Sequence, residues 1–534
     1  MTLLVASLAL ALLQIAVARV AAPLPEHCEK YELIYPQIER DFAFWDSQSP
    51  PGISVDTMRE AVRLFARGPA RGMHFGFIDG KAYVLTPTPV AKYSQTFLSR
   101  QLVYLDVLDD LEAKYGHAIP NCEFVLVTTD IPNQKPSGTL VQQQELQQGW
   151  GPGTSHPHGI PGLPSGTYPI FRASKSDAYA ADILIPHHDF YLLRYDTTVL
   201  NASRRLLSPR ELPWRSRLSK AYAQYDMHVT RNRHPKDAFT WRAGAGDAPI
   251  CDGPGGSICF VRRHFWGILE ASPHPSLDVR DSNATAASET HLVDLHTPRH
   301  LALAIADAAA RKAASGGGGG GGSSDEALGL LDEAAQEAYQ ATLVWGTHGG
   351  GGSSLGASGS VSSDGESGAG GQSLPDYLLA HARHKLLLHL DSHGLSSSLE
   401  RLLALGSTVL VESSGYYGYY TKAMKPHVHF VPWWTRNPEE VFSLVTTLLQ
   451  NDGEAAAKIG ARGSDFARGY LTAEGRACYW LKLLQRLAGS LQHAPTALAD
   501  FPHALPVRHF RNQHVLRKRV RRGQRSLYGQ PFEP

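Results

Sequence analysis

Residues 385–391 read KLLLHLD, 392–394 SHG, 395–405 LSSSLERLLAL and 406–412 GSTVLVE. The first run is short and apolar, as in a strand buried on both faces. Gly394 with Ser396, Ser397 and Ser398 marks a turn and a helix start. Leu395, Leu399, Leu402 and Leu403 recur at helical spacing. Gly406 stops that helix, and a β-rich run follows. The pattern predicts a strand–helix–strand unit of a parallel sheet. Its helix begins at the carboxyl end of a strand, where unpaired N–H groups and the helix dipole favour an anion such as a nucleotide diphosphate. A purely structural unit with an empty helix end has the same local pattern.

The 534 residues suffice for two ordinary domains. With 43% hydrophobic and 19% charged residues, the composition is that of a globular protein. A formal net charge of +1 gives no expectation of a nucleic-acid partner. Residues 501–530 nevertheless carry eight basic side chains and no acid. That run is read as a solvated tail, or as a patch for peripheral membrane contact or an acidic partner. Leu3 to Val17 is apolar apart from Ser7 and Gln14, and small residues follow. Residues 1–22 are therefore read as a secretory signal peptide or an uncleaved anchor. The sequons at Asn201 and Asn283 fit a lumenal chain. Of five cysteines, Cys251 and Cys259 close a short Gly/Pro loop, which favours a local disulfide.

Glu26 to Pro50 reads as a helical entry segment, Glu123 to Thr129 and Ile183 to Ile185 as short strands, and Pro213-Trp214 as the opening of a helical segment. From residue 313 to 373 the composition turns to Gly and Ser, with Gly316–Gly322 and Gly349–Gly352 as pure glycine runs. Such a stretch cannot bury enough apolar area to offset its ordering entropy, so it is read as a disordered insert. Deleting Ser315 to Gln372 is expected to leave the melting temperature nearly unchanged, because added loop length costs little closure entropy. A large drop on thermal denaturation would show that the helical pattern at Asp325–Val344 packs on the core.

Several longer pieces resemble glycosyltransferase family 90, which contains the Rumi-like protein O-glucosyltransferases and the fungal capsule-associated xylosyltransferases. They are HLDSHGLSSSLERLLALGSTVLVESSGYYGYYTKAMKPHVHFVPW at 389–433, NPEEVF at 437–442, NDGEAAAKIGARGSDFA at 451–467 and LTAEGRACYWLKLL at 471–484. Shorter upstream matches are CEFVLVTTDIPN at 122–133, SDAYAADILIPHHDFY at 176–191 and LPWRSRLSKAY at 212–222. The resemblance implies an α/β protein of GT-B type, with two facing Rossmann-like domains and a cleft between them. An N-terminal acceptor domain would span 23–212 and a donor-binding domain 213–490, with a basic tail at 491–534. It implies a UDP-sugar-dependent, inverting O-glycosyltransferase of the endoplasmic reticulum or Golgi lumen, moving glucose or xylose (from UDP-glucose or UDP-xylose) to a hydroxyl of an acceptor protein or glycan. It also implies that Cys28 pairs with Cys478, leaving Cys122 buried and unpaired.

Inverting sugar transfer needs a base for the acceptor hydroxyl, a donor pocket, and positive charge or dipoles for the leaving diphosphate. Asp130 follows a β run and precedes Ile131-Pro132, at the family's base position. The resemblance assigns the donor to Ser396, Ser397 and Ser398, and the acceptor side to His187, His188, Asp189 and Phe190. Ser398 stands where active relatives carry an arginine, and the family's Phe-Arg-Gly-Ser-type motif is missing. Arg401, one helical turn on, and Arg231 and Arg233 are the candidate replacements, with Arg262 and Arg263 further ones. A non-catalytic glycan- or protein-binding relative is the alternative. Neither a metal nor another cofactor is expected, because no Asp-x-Asp pair follows a strand. His187 and His188 are expected on opposite sides of an extended chain, and His427 and His429 on one strand face, without a third ligand. A serine-hydrolase reading of Gly394–Ser398 lacks the closing glycine. The tyrosines of Gly415–Tyr420 are read as loop packing beside the donor.

Overall fold

The structure is a computed structural model. It describes residues 23–66, 72–87, 95–128, 167–177, 181–208, 211–227, 231–232, 258–259, 261–282, 374–392, 394–493 and 495–511. Asp130, Arg233, Cys251, Asn283, the insert and the apolar N-terminal run lie outside them, as do the side chains of Arg231 and Cys259.

The strands in chain order are β1 (Met73–Ile78), β2 (Lys81–Val84), β3 (Cys122–Leu126), β4 (Ile170–Arg172), β5 (Ile183–Leu184), β6 (Leu218–Tyr225), β7 (Arg231–Asn232), β8 (Ile258–Cys259), β9 (Leu277–Asp281), β10 (His384–His389), β11 (Thr408–Glu412), β12 (Val431–Trp433) and β13 (Leu505–Pro506). One sheet has the order β13-β2-β1-β3-β4-β5 and another β12-β11-β10-β6-β9. The described residues are thus α/β, with one mixed sheet, one parallel sheet and a separate antiparallel pair, β7-β8.

The second sheet is parallel at every pairing. Its strands, numbered by their own sequence order, run 2-1-3-4-5, which is a doubly wound arrangement. β10 is its central strand, and every residue from His384 to His389 is buried. Strands covered on both faces need this near-continuous apolar run. Lys385 breaks the run but is satisfied, donating to Ser219 Oγ at 3.0 Å and to the Asp452 carboxylate. The helix Ser398–Ala404 follows as read, and Gly406 at φ +66 ends it in the left-handed region that a Cβ disfavours. Arg217 holds that end: its Nη1 donates to Leu405 O at 3.1 Å and to Ser407 Oγ at 2.7 Å.

The segment opened by Pro213-Trp214 departs from the helical expectation. A single 3-10 turn at Trp214–Ser216 leads straight into β6. Ala221, Tyr222, Ala223 and Tyr225 are buried there between β10 and β9, so tertiary packing decides the strand.

In the first sheet, β1 and β2 form a hairpin whose two turn residues, Asp79 and Gly80, have φ of 51° and 73°. An Asp-Gly pair suits that geometry. Only β3, β4 and β5 run parallel in this sheet.

The helix Ala473–Ser490 lies against the first sheet although it follows the second in sequence. Trp480, fully buried, sits 6.4 Å from the Phe124 ring and 6.1 Å from Phe171, and Tyr479 Oη donates to Leu184 O at 3.2 Å. A disulfide joins Cys28 to Cys478 on this helix. Cys122 is buried and reduced, and burial pushes its thiol up to about 12, which makes it inert. Arg508 and Arg511, the first two of the basic run, pair with Asp109 and Asp106 on the helix Gln95–Tyr115.

Candidate functional site

β6 and β10 are neighbours, but the chain leaves them toward opposite edges of the sheet. Such a reversal leaves a crevice outside the carboxyl ends of the strands. Arg262, from the helix Val261–Ala271, fastens both ends. Its Nη2 donates to Leu390 O at 3.1 Å, its Nε to Asp391 O at 3.2 Å and its Nη1 to Asp226 O at 3.4 Å. Arg262 therefore shapes the crevice, with its guanidinium engaged by strand-end carbonyls.

Asp391 organises the turn after β10. Its carboxylate accepts from Ser396 N–H at 2.9 Å and from the Ser414 hydroxyl, and its own N–H donates to Glu412 Oε2 at 3.0 Å. One of the backbone donors read as an anion cradle is thus already used by a carboxylate of the chain itself. Ser398 Oγ lies 3.0 Å from Ser396 Oγ.

This turn meets the residues that follow β5. Ser397 Oγ donates to Asp189 Oδ2, and Tyr195 Oη donates to Glu400 O at 2.9 Å. His188 Nε2 lies 3.6 Å from Asp189 Oδ1 and His187 Nδ1 3.9 Å from Asp189 Oδ2. The structure therefore brings His187, His188 and Asp189 against Ser397, Glu400 and Arg401. Phe190 is buried behind them, with the Arg476 guanidinium 4.7 Å over its ring and paired to Asp196 at 2.7 Å.

The imidazoles are not on opposite sides of an extended chain. His188 has helical backbone angles at the start of the helix Asp189–Leu192, and the two rings lie 3.9 Å apart at 31°. Adjacent side chains diverge fully only in a strand. His427 and His429 likewise sit in a turn, not on a strand face: His427 has φ of 60°, and His429 Nδ1 accepts the Lys425 N–H at 2.8 Å.

Electrostatics separate the two acids. Burial pushes Asp189 up, but His187, His188, Arg401 and the Ser397 hydrogen bond together hold it well below the usual carboxylate range. Glu400 is 3% exposed, and burial raises it to about 7. Its Oε2 has no hydrogen-bond partner among the described residues. Sequence reasoning missed Glu400 because its position in LSSSLERLLAL marks it as one more polar helix residue. Arg401 stacks 5.1 Å over the Tyr377 ring, and its charge reaches Asp189.

Tyr416, Tyr417, Tyr419 and Tyr420 are all buried. Tyr417 exchanges backbone hydrogen bonds with Lys175 at 2.8 and 3.0 Å, which ties this loop to the segment after β4. Asn201 is exposed at the start of a short helix, where its side chain accepts from Arg204 at 2.8 Å.

Residues 367–509 match Glycosyl transferase family 90. That match covers about a quarter of the chain, and over this span the chain resembles the family. The family 90 match takes in the β10–β12 half of the parallel sheet and also the helix and edge strand that complete the mixed one. Among curated relatives, Protein O-glucosyltransferase 1 of Rattus norvegicus is 27% identical over 132 residues, which is 25% of this chain and 33% of that protein. O-glucosyltransferase rumi homolog of Anopheles gambiae is 30% identical over 107 residues, 20% of this chain and 27% of that protein. Protein O-glucosyltransferase 2 of Danio rerio is 29% identical over 106 residues, 20% of this chain and 21% of that protein. The chain thus spans about a third or less of the length of these relatives.

Proposed function

We propose that this protein is an O-glycosyltransferase that moves glucose or xylose from a UDP donor to a hydroxyl of a protein or glycan, with inversion. The observation that carries this reading is the doubly wound sheet, whose β10–β12 part lies within the family 90 match and whose post-β10 turn faces the 187–190 segment. The names of the relatives supply the reaction class. In this reading the architecture is of GT-B type, the donor lies at the crevice with its diphosphate near Ser397, Ser398 and Arg401, and the acceptor lies toward His187–Phe190. Arg231 and Arg233 supply further charge. The diphosphate is held without a metal.

A lumenal compartment of the secretory route fits the Cys28–Cys478 disulfide, because cytosolic thiols are kept reduced. The acceptor hydroxyl loses its proton to Asp130 as its oxygen forms a bond to the sugar anomeric carbon, while the bond to the UDP oxygen breaks. Asp130→Asn should keep the fold and UDP affinity while lowering turnover by roughly a hundredfold or more, the scale of a positioned base. UDP release from several UDP-sugars is the measurement. Near-normal turnover in the variant sinks the base assignment. No UDP binding or release by the wild type points instead to a non-catalytic relative.

A further inference from the structure

We propose that His187, His188 and Asp189 form a binding site for a late first-row divalent cation, with zinc the best match to two imidazoles and a carboxylate. Their ligand atoms lie within 4.8 Å of one another. His188 Nε2 lies 3.6 Å from Asp189 Oδ1, and His187 Nδ1 lies 3.9 Å from Oδ2 of the same carboxylate. Metal–ligand bonds of about 2.1 Å place neighbouring tetrahedral ligands about 3.4 Å apart. Side-chain rotation that draws the three ligand atoms from within 4.8 Å of one another to that spacing closes the site.

The surroundings of the three side chains point the same way. Asp189 and Glu400 place two carboxyl groups around one guanidinium, that of Arg401. The two imidazole ring centres lie 3.9 Å apart, so both rings border one small space beside Asp189. His188 is 2% exposed, which shields the site from competing water. Ser397, donating to Asp189 Oδ2, is the outer-shell group that orients the carboxylate. His187 Nδ1 now accepts the Asp189 N–H at 3.1 Å, and ligation replaces that contact.

The other described group of metal-type side chains, His27 with Cys28 and Cys478, offers no thiolate because its cysteines form the disulfide. The site adjoins the proposed donor position, because Ser397 and Arg401 border both. Arg401 gives the two opposite signs: removing its charge weakens an anionic donor but strengthens a cation held by Asp189.

The test titrates the chelator-stripped full chain with Co²⁺, read by its visible ligand-field absorption, and with Zn²⁺ by calorimetry. One equivalent is expected to bind. Outer-shell changes cost about 10–100-fold in metal affinity. Ser397→Ala should fall in that range, and Asp189→Asn and His188→Gln should exceed it. Arg401→Ala should bind the metal more tightly. Circular dichroism checks the fold of each variant. If the buried-histidine variant fails to fold, nitrogen couplings from two imidazoles in the Cu²⁺ electron paramagnetic resonance spectrum of the wild type, weakened in Ser397→Ala, decide the matter. A wild type without a stoichiometric site overturns the proposal. So does a site whose affinity is unchanged in both Asp189→Asn and Ser397→Ala, since the ion then sits elsewhere.

Discussion

Replacing Cys28 and Cys478 together by serine should lower the unfolding free energy by about 4–5 kcal/mol, the upper part of the range for native disulfides. The bridge closes a loop with a sequence separation of 450, and in the chain-entropy account longer loops restrict the unfolded chain more. Its position adds to the effect. Cys478 sits on the helix that covers the first sheet, two residues from Trp480, and Cys28 sits on the 3-10 helix Glu26–Ile34 that packs against it. The surviving contacts are modest: Tyr31 Oη donates to Glu474 at 2.8 Å, and the Lys30–Glu474 pair is half in solvent, so it adds little. Urea denaturation of the double variant against the wild type measures the difference. A loss under about 1 kcal/mol would mean that the packing of Trp480 and Tyr479 alone fixes the entry segment.

Glu400→Gln should make the protein more stable above neutrality, by up to about 3 kcal/mol at pH 8. The folded carboxyl is raised to about 7 from an ordinary value of 4.5, chiefly by burial. The folded state therefore binds a proton that the unfolded state releases. The stabilising effect of that proton is complete below about pH 4.5 and fades as pH rises to about 7. Glutamine has no charge to bury, so the variant and wild type should coincide near pH 4 and diverge upward. His187, Asp189 and Arg401 face this carboxyl, as do Tyr195, Tyr419 and Tyr420, and a chelating buffer keeps metal ions out of the comparison. Parallel stability profiles from pH 4 to 8 would contradict the assignment.

The parallel sheet was legible where its strands are buried on both faces. LLL in β10 and TVLVE in β11 carry their own signal, and Gly406 punctuates the helix between them. β6 was not legible, because LSKAYAQY begins with three exposed residues and its polar spacing imitates a helix. The β1–β2 hairpin was readable in principle from Asp79-Gly80, an Asp-Gly pair between apolar runs. The meeting of 187–189 with 397–401 was not readable from local pattern. It joins the end of one sheet to the start of a helix in the other, and a single sequence carries no trace of such a contact. The same holds for Glu400, whose environment is made by residues far away in the chain.

The placement of β13 and the helix Ala473–Ser490 has a consequence for biosynthesis. The ribosome delivers the chain from its first residue onward, and domains commonly fold as they emerge. Here the faces of Phe124 and Phe171 stay uncovered until Trp480 has been made, and the edge of β2 stays open until Leu505 arrives. The earliest-made sheet is thus the last to be completed. Through most of translation the nascent protein exposes an apolar face and an unpaired strand edge, which is the state that holding chaperones recognise and that aggregates when they are scarce. Premature termination anywhere between β5 and residue 473 would release a fragment unable to close its first sheet, whatever the condition of its second.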